Sequence, residues 1–580
     1  MTAILGLNAY HGDAAAAIVV DGTLVAAAEE ERFNRVKHCA GFPALAAAWC
    51  LTEAGIAPEQ LDHVAIGRDP RANVRAKMAR VLTRPPSPSY LLSRARNARQ
   101  VGKDLRVTIA DALGAPGGVL AAEIHQVEHH LAHAASAFLV SPFDDAAILT
   151  VDGFGDFAST MLAYGSGTSI DVLDRVRFPH SLGIAYTAVT QWLGFPHYGD
   201  EGKVMGLAPY GDPDPYLPAL RKIIRTRGSL FELGLSYFTH HTRGVEMTWG
   251  DGSPSVGRVF SGRMEELLGP ARSPGEPLTD HHRDVAAALQ ARLEEVYLHL
   301  VIGLAERTGS ANLCLAGGVA LNAVANGRIR PETPIRELYV QPAAGDSGTA
   351  VGAAFHVWNT KLAHPRTFRM LHASTGPAYT DAEIEGALSA AGLEGERHGD
   401  DLFAVVAERI AAGDVVGWFQ GRMEFGPRAL GNRSIVADPR RTEMKDILNA
   451  RIKQREPFRP FAPSILAERT GEWFDQDYTS PFMVLIYDVL PGKRELVPAI
   501  THVDGTGRLQ TVEQTTSPRY HRLIVEFERI TGVPILLNTS FNENEPIVMT
   551  PDQAVETFLK TRMDILALGD YIVRRAQSSH

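Results

Sequence analysis

Cysteine is scarce in this chain of 580 residues, where Cys39, Cys50 and Cys314 are all there is. None belongs to a C-x-x-C pair, which excludes a thiolate zinc site and a disulfide framework and fits a reducing, cytoplasmic setting. Long apolar runs are missing too. Met1 to Leu7 carry no basic segment, and Asp13 and Asp21 interrupt the apolar stretch that follows. Neither a secretory leader nor a membrane span is therefore expected. Positive charge is not in excess: the formal net charge is −10, which argues against nucleic acid as the main partner. What is present is an ordinary globular composition, 45% hydrophobic, over a length that suits two or more domains.

The first of these domains opens with a pattern that occurs twice. The apolar run Ile4 to Leu7 enters Asn8-Ala9-Tyr10-His11-Gly12-Asp13, a second run spans Ala14 to Val20, and Asp21-Gly22 supplies a hairpin turn. Later, Ala146 to Val151 enters Asp152-Gly153-Phe154-Gly155-Asp156, followed by Ala158 to Tyr164, a Gly-Ser-Gly turn and Ile170 to Val176. Strand, Gly/Asp loop and hairpin in each half is the layout of a duplicated actin/hexokinase-type ATPase fold, although two unrelated hairpins would read alike. The spacing of Leu289, Leu293, Val296 and Leu300 predicts a helix over 281–308 that Gly309 ends. Two strand-to-helix turns follow, at Ala316 to Asn322 and at Ala344-Gly345-Asp346-Ser347-Gly348. Residues 1–356 are read as the first domain, 357–378 as a linker and 379–580 as a second α/β domain, whose first helix starts at a capping box, Thr380-Asp381-Ala382-Glu383. Residues 71–106 hold ten Lys/Arg and one acid. They read as a solvated, mobile insertion, or else as a lid over a site or a partner surface.

Four groups of residues could carry chemistry. On a helix, His129 and His133 of Glu128-His129-His130-Leu131-Ala132-His133 share one face and can hold one metal ion. Histidines packed in a core give the same spacing. Asp346 at a strand-to-helix turn would add a carboxylate and leave positions open for phosphate or water. Gly317-Gly318 could let a nucleotide approach the backbone beside a helix N-terminus, and Asp152 and Asp156 add carboxylates at a strand end. Residues 418–460 set ten Lys/Arg against five acids among glycines and prolines. Converging guanidinium forks suit phosphates, and a solvated basic face is the alternative. Last, Leu537 to Asn542 (LNTSFN) offers amides and hydroxyls at a strand end, fit for a small polar group, a phosphate or a plain polar turn.

Taken in order, EERFNRVKH (30–38), Glu128 to Phe138, DEGKVMGLAPYG (200–211), Gly317 to Asn322, Gly421 to Ser434 and Leu537 to Asn542 resemble one family. It is the NodU/CmcH-type O-carbamoyltransferases, which act on nodulation factors, cephems and aminoglycosides such as tobramycin. The resemblance covers nearly the whole chain. It implies an N-terminal ATPase-fold domain like the metalloprotein of tRNA threonylcarbamoylation (TsaD-like) and a C-terminal YrdC-like domain. It further implies that the C-terminal domain makes carbamoyl-AMP and pyrophosphate from ATP and carbamoyl phosphate, and that the N-terminal domain moves the carbamoyl group to a hydroxyl. By position, His129, His133, Asp346 and Asp152 match the metal site, with Fe(II) as the ion and Mg²⁺ accompanying ATP. Gly317, Gly318, Asn322 and Lys203 fall in nucleotide-binding segments. Arg422, Arg428, Arg433, Lys453, Arg455, Arg459, Asn538 and Ser540 fall in segments of the synthase pocket. The family's His-Asp pair in the first loop is displaced here by one residue, which makes His11 the expected base and Asp13 its alternate. The expected partners are ATP, carbamoyl phosphate and a small hydroxylated acceptor of antibiotic or secondary-metabolite type, with no membrane and no nucleic acid; a homodimer is left open. Hydrogenase-maturation carbamoyltransferases share both domain types but need C-x-x-C zinc fingers and an acylphosphatase-like module, neither of which is seen. A kinase would leave the arginine-rich segment unexplained, and a non-catalytic regulator is the remaining alternative.

Overall fold

The computed structural model describes residues 1–83, 105–115, 120–244, 247–248 and 252–575. The centre of the basic insertion at 71–106 lies outside the described residues. The chain divides into two compact units, Met1–Met370 and Leu371–His580.

Unit 1 contains the same sheet twice. In the first copy, strands β1 (Ala3–Asn8), β2 (Ala15–Val20), β3 (Thr23–Glu29), β4 (His63–Ile66) and β5 (Glu123–Gln126) are ordered β3-β2-β1-β4-β5. β1 and β2 are antiparallel, as are β2 and β3, whereas β4 lies parallel to β1 and β5 parallel to β4. In the second copy, β6 (Asp145–Gly155), β7 (Ala158–Ser166), β8 (Ser169–Arg177), β9 (Asn312–Ala316) and β10 (Glu337–Val340) are ordered β8-β7-β6-β9-β10. The mixture of directions is the same. The repeat read from two loops is thus a repeat of a whole mixed sheet, the duplicated architecture of actin/hexokinase-type ATPases. Antiparallel hairpins need only short turns, while each parallel neighbour needs a crossover, so β4 and β9 return far along the chain. Their central strands are apolar on both faces because each sheet is covered on both sides; Leu5, Leu7, Ile18, Val64 and Ile66 form one such core.

Helix α1 (His129–Phe138) follows β5, and the long helix α2 (Asp280–Thr308) precedes β9. Gly309, at φ 67°, closes α2, at the position where the sequence placed the stop. Helix α3 (Gly348–Phe355) follows β10 and packs closely on α1 through small residues, Ala132 against Gly352. The stretch 357–378 is divided between the units. Its first part continues α3 as helical turns to Lys361, and the Arg366 guanidinium donates to the carbonyls of Phe138, Leu139, Ser141 and Phe143. In unit 2, the carbonyls of Thr375 and Gly376 accept from Arg422.

Unit 2 opens with α4 (Asp381–Ala390), where Thr380 and Glu383 cap each other reciprocally. Its nine strands are β11 (Glu396–Arg397), β12 (Val416–Phe419), β13 (Arg433–Ala437), β14 (Ala462–Leu466), β15 (Leu485–Asp488), β16 (Thr506–Val512), β17 (Ile535–Ser540), β18 (Ile565–Leu568) and β19 (Tyr571–Arg574). They form one mixed sheet, β11-β19-β18-β12-β13-β17-β14-β16-β15. Among the described residues, no helix is long and apolar enough to cross a membrane, and the three cysteines are unpaired and buried.

Candidate active site

In unit 1, the ends of both sheets deliver polar side chains to one place. His129 and His133 project from the first turns of α1, and Glu128 caps that helix by accepting from Leu131 N. The Asp156 carboxylate fixes the same end, accepting from the amides of Asp69 (2.6 Å) and His129 (3.0 Å). Asp152 comes from β6, where residues 152–154 bulge between the pairs Val151–Thr160 and Gly155–Ala158. A bulge re-aims a side chain out of the ladder, and here it turns Asp152 toward α1. Asp346 comes from the turn between β10 and α3.

The four side chains converge, with their donor atoms all within 4.8 Å of one another. His129 Nε2 and His133 Nε2 are 3.1 Å apart. Asp152 Oδ2 lies 3.2 and 3.5 Å from them, and Asp346 Oδ1 lies 3.5 and 3.6 Å from them. Ligands bound at about 2.0–2.2 Å around one cation stand about 3–3.6 Å from each other, so the donor set and its spacing fit a divalent ion. The tautomer fits as well: His129 Nδ1 faces the Gly67 carbonyl at 3.3 Å, which leaves the Nε2 lone pair for a metal. Burial opposes a charge on His129, yet the Asp152 hydrogen bond and the two carboxylates push it up to about 9. A site that recruits a proton this strongly is one that calls for positive charge. His130, between the two, faces the core instead, 2.7 Å from Thr150 Oγ1, and burial holds it neutral.

Two glycines make this packing feasible. A Cβ on Gly155 would stand 2.0 Å from the His129 ring, and one on Gly317 would stand 2.3 Å from the Val151 carbonyl. Gly317 adopts φ 90°, and the Gly318 amide donates to Asp152 Oδ1 at 3.1 Å. This turn therefore braces the bulge as well as facing the site. Asn322 caps the next short helix through Ala325 N and pairs with Gln290, and Lys203 Nζ sits 2.8 Å from Asp200.

His11 joins the cluster. Its ring stacks on His129 with centroids 4.7 Å apart, and its Nδ1 is 3.7 Å from Asp346 Oδ2. Burial lowers its proton affinity against the pull of Asp346, so it is held as a neutral acceptor. Asp13 turns away and binds His38 Nδ1 at 2.8 Å.

In unit 2, the candidate residues separate into two groups. Arg433 is fully buried and donates to the carbonyls of Gln420, Gly421, Asn432, Pro377 and Met549 while lying over Phe419. Arg422 holds Gly376 and Thr375. Lys453 Nζ is ringed by the Ser540 carbonyl, the Asn542 carbonyl and Asn542 Oδ1. Asn538 donates to Ala429, Ser464 and Gln510, and Ser540 Oγ donates to Asn542 Oδ1. These groups tie β13, β14 and β17 together.

Arg428, Arg455 and Arg459 form the second group, and Arg508 on β16 completes it. Burial and then the charges of Arg428, Arg455 and Arg459 pull Arg508 well below its ordinary value. Arg428 is lowered to about 10 and Arg455 to about 9, each by burial and then by Arg459. Among the described residues, the buried Nε atoms of Arg428 and Arg508 have no hydrogen-bond partner. Glu456, 3.7 Å from Arg459, offsets one charge. Guanidiniums crowded this way are mutually repulsive until an anion enters.

Comparison with known proteins shows the family. Residues 3–355 match the family model "Carbamoyltransferase N-terminus", and residues 407–575 match "Carbamoyltransferase C-terminus". The chain belongs to the carbamoyltransferase family. Similar proteins include sll1178 of Synechocystis (42% identical, covering 99% of this chain and 97% of that one). Nodulation protein NolNO of Sinorhizobium fredii is 40% identical (99% and 80%). Nodulation protein U of the same species is 29% identical (93% and 93%). Among solved structures, HypF of T. kodakarensis overlaps with a TM-score of 0.30 at 14% identity, over 61% of this chain and 47% of that one.

The carbamoyltransferase holds functional candidates that its motifs did not single out. Arg508 sits in an unremarkable alternating strand, and only the neighbouring guanidiniums give it meaning. Tyr198 lies against Gly12, where an added Cβ would meet its hydroxyl at 2.7 Å. Burial, and then the carboxylates of Asp13, Asp346 and Asp152, hold its proton well above the usual range. The DEGKVMG string begins two residues later.

Proposed function

We propose that this carbamoyltransferase works in two steps, with ATP and carbamoyl phosphate converted to carbamoyl-AMP in unit 2, read as a YrdC-like synthase, and the carbamoyl group passed to a hydroxyl in unit 1. The observation that carries this reading is that the chain holds two chemically different sites: a guanidinium cluster for polyphosphate, and a cluster of two histidines and two aspartates with a base beside it. Balance requires one water. The phosphoryl group of carbamoyl phosphate leaves with it as orthophosphate, the carbamate oxygen attacks the α-phosphorus of ATP, and pyrophosphate departs. Arg428, Arg455, Arg459 and Arg508 would bind and orient these phosphates through charge-assisted forks.

In unit 1, His129, His133, Asp152 and Asp346 would hold a divalent ion. Fe(II) is the ion that the family resemblance implies; two imidazoles with carboxylates accept it as they accept zinc, and it would supply Lewis-acid stabilisation of charge on the departing AMP. The Gly317-Gly318 turn would let the adenylate approach the backbone. His11 would take the acceptor's proton as the hydroxyl oxygen attacks the carbamoyl carbon and the bond to AMP breaks. The acceptor is read as a hydroxylated small-molecule natural product of the antibiotic or secondary-metabolite kind. Mass spectrometry of products from a panel of such compounds identifies it.

Nucleotide products test the route. Each carbamoylated product should be accompanied by one AMP, one pyrophosphate and one orthophosphate. ADP formed in step with product would overturn the adenylate mechanism. His11→Asn tests the base: carbamoyl-AMP formation should persist while transfer slows by about 100-fold or more. Unchanged transfer would move the role elsewhere.

A further inference from the structure

A second group of imidazoles lies at the other end of the first sheet. His63 opens β4 and Glu123 opens the edge strand β5; the two residues are register partners in parallel strands. His125, two residues on from Glu123, falls on the same face because strand side chains alternate. His125 Nε2 is 3.0 Å from His63 Nδ1. Glu123 Oε2 is 3.8 Å from His63 Nδ1, and Glu123 Oε1 is 3.9 Å from His125 Nε2. The three donor atoms lie within 4.8 Å of one another. Both histidine side chains are 15% exposed and Glu123 is 70% exposed, so the group opens to water on one side.

We propose that His63, His125 and Glu123 form a zinc site, separate from the catalytic cluster, that clips the edge strand β5 to β4. Two imidazoles and a carboxylate, with room for a water, are the donors zinc takes, and hard oxygen-seeking ions such as Mg²⁺ and Ca²⁺ do not favour imidazole. The separations are close to those of ligands sharing one ion. The site is remote from the reaction. β4 runs from His63 to Ile66, the next residue, Gly67, turns its carbonyl to His129, and four strand residues span about 13 Å.

The full-length enzyme is equilibrated with zinc chloride, desalted and subjected to elemental analysis. The wild type should retain one more equivalent of zinc than the H63A/H125A variant, while carbamoyl transfer by the two is the same. Zinc should also raise the unfolding temperature of the wild type more than that of the variant, since a ligand of the folded state alone stabilises it. Equal zinc content or equal shifts would overturn the proposal. If the double variant fails to fold, Glu123→Gln at an exposed position serves: titration against a competing chelator should show weaker zinc binding, and unchanged affinity would overturn the site.

Discussion

On the proposed two-step mechanism, His133→Ala is expected to abolish metal binding in unit 1 and carbamoyl transfer together while leaving pyrophosphate release intact. His133 Nε2 stands 3.1 Å from His129 Nε2 and within 3.6 Å of Asp152 and Asp346, so the substitution removes one of two nitrogen donors. Loss of a partner that only orients a ligand costs about 10–100-fold in metal affinity, and loss of a ligand itself should exceed this. The remaining carboxylates would face one imidazole, His129, which takes up a proton readily in their field, and a proton there blocks its lone pair. Elemental analysis and single-turnover transfer of synthetic carbamoyl-AMP check both claims. Full metal occupancy in the variant would remove His133 from the ligand set.

Arg508→Ala should abolish adenylate formation without harming the fold, and it should do so by a different physical route from Arg433→Ala. Each charge-assisted contact to phosphate contributes about 1.5–3 kcal/mol, which makes the expected loss roughly 10- to 150-fold for every such contact removed. In the unliganded enzyme the same change relieves repulsion with Arg428, Arg455 and Arg459, so the unfolding temperature should hold or rise. Arg433 is the contrast. Its guanidinium satisfies five backbone carbonyls inside unit 2, and alanine would leave them buried and unpaired, with a destabilisation of about 3–5 kcal/mol. Calorimetry separates the two. Given synthetic carbamoyl-AMP, the Arg508 variant should still carbamoylate its acceptor. Failure there, with fold and metal confirmed, would refute the division of labour between the units. A fall in stability equal to that of Arg433→Ala would show Arg508 to be a structural residue.

What the sequence determined by itself was whatever depends on neighbours along the chain. The α2 helix and its glycine stop, the reciprocal cap at Thr380, the Asp21-Gly22 hairpin and the shared face of His129 and His133 all follow from local periodicity and turn chemistry. The duplicated sheet was legible too, because each copy begins with its own hairpin. Tertiary structure alone decided which arginine does what. Arg433 and Arg508 are alike as letters, yet one is surrounded by carbonyl oxygens and the other by guanidiniums, and those surroundings come from loops that folding brings together. The same holds for Asp13, whose partner His38 is 25 residues away, and for Asp152, which a bulge in β6 turns toward α1. It also holds for Tyr198, brought against the first loop by a segment almost two hundred residues later. A charge or a hydrogen bond acts through space, so a residue's role is set by what folding places beside it, and sequence spacing reports that only within a turn or two of helix or across a tight hairpin.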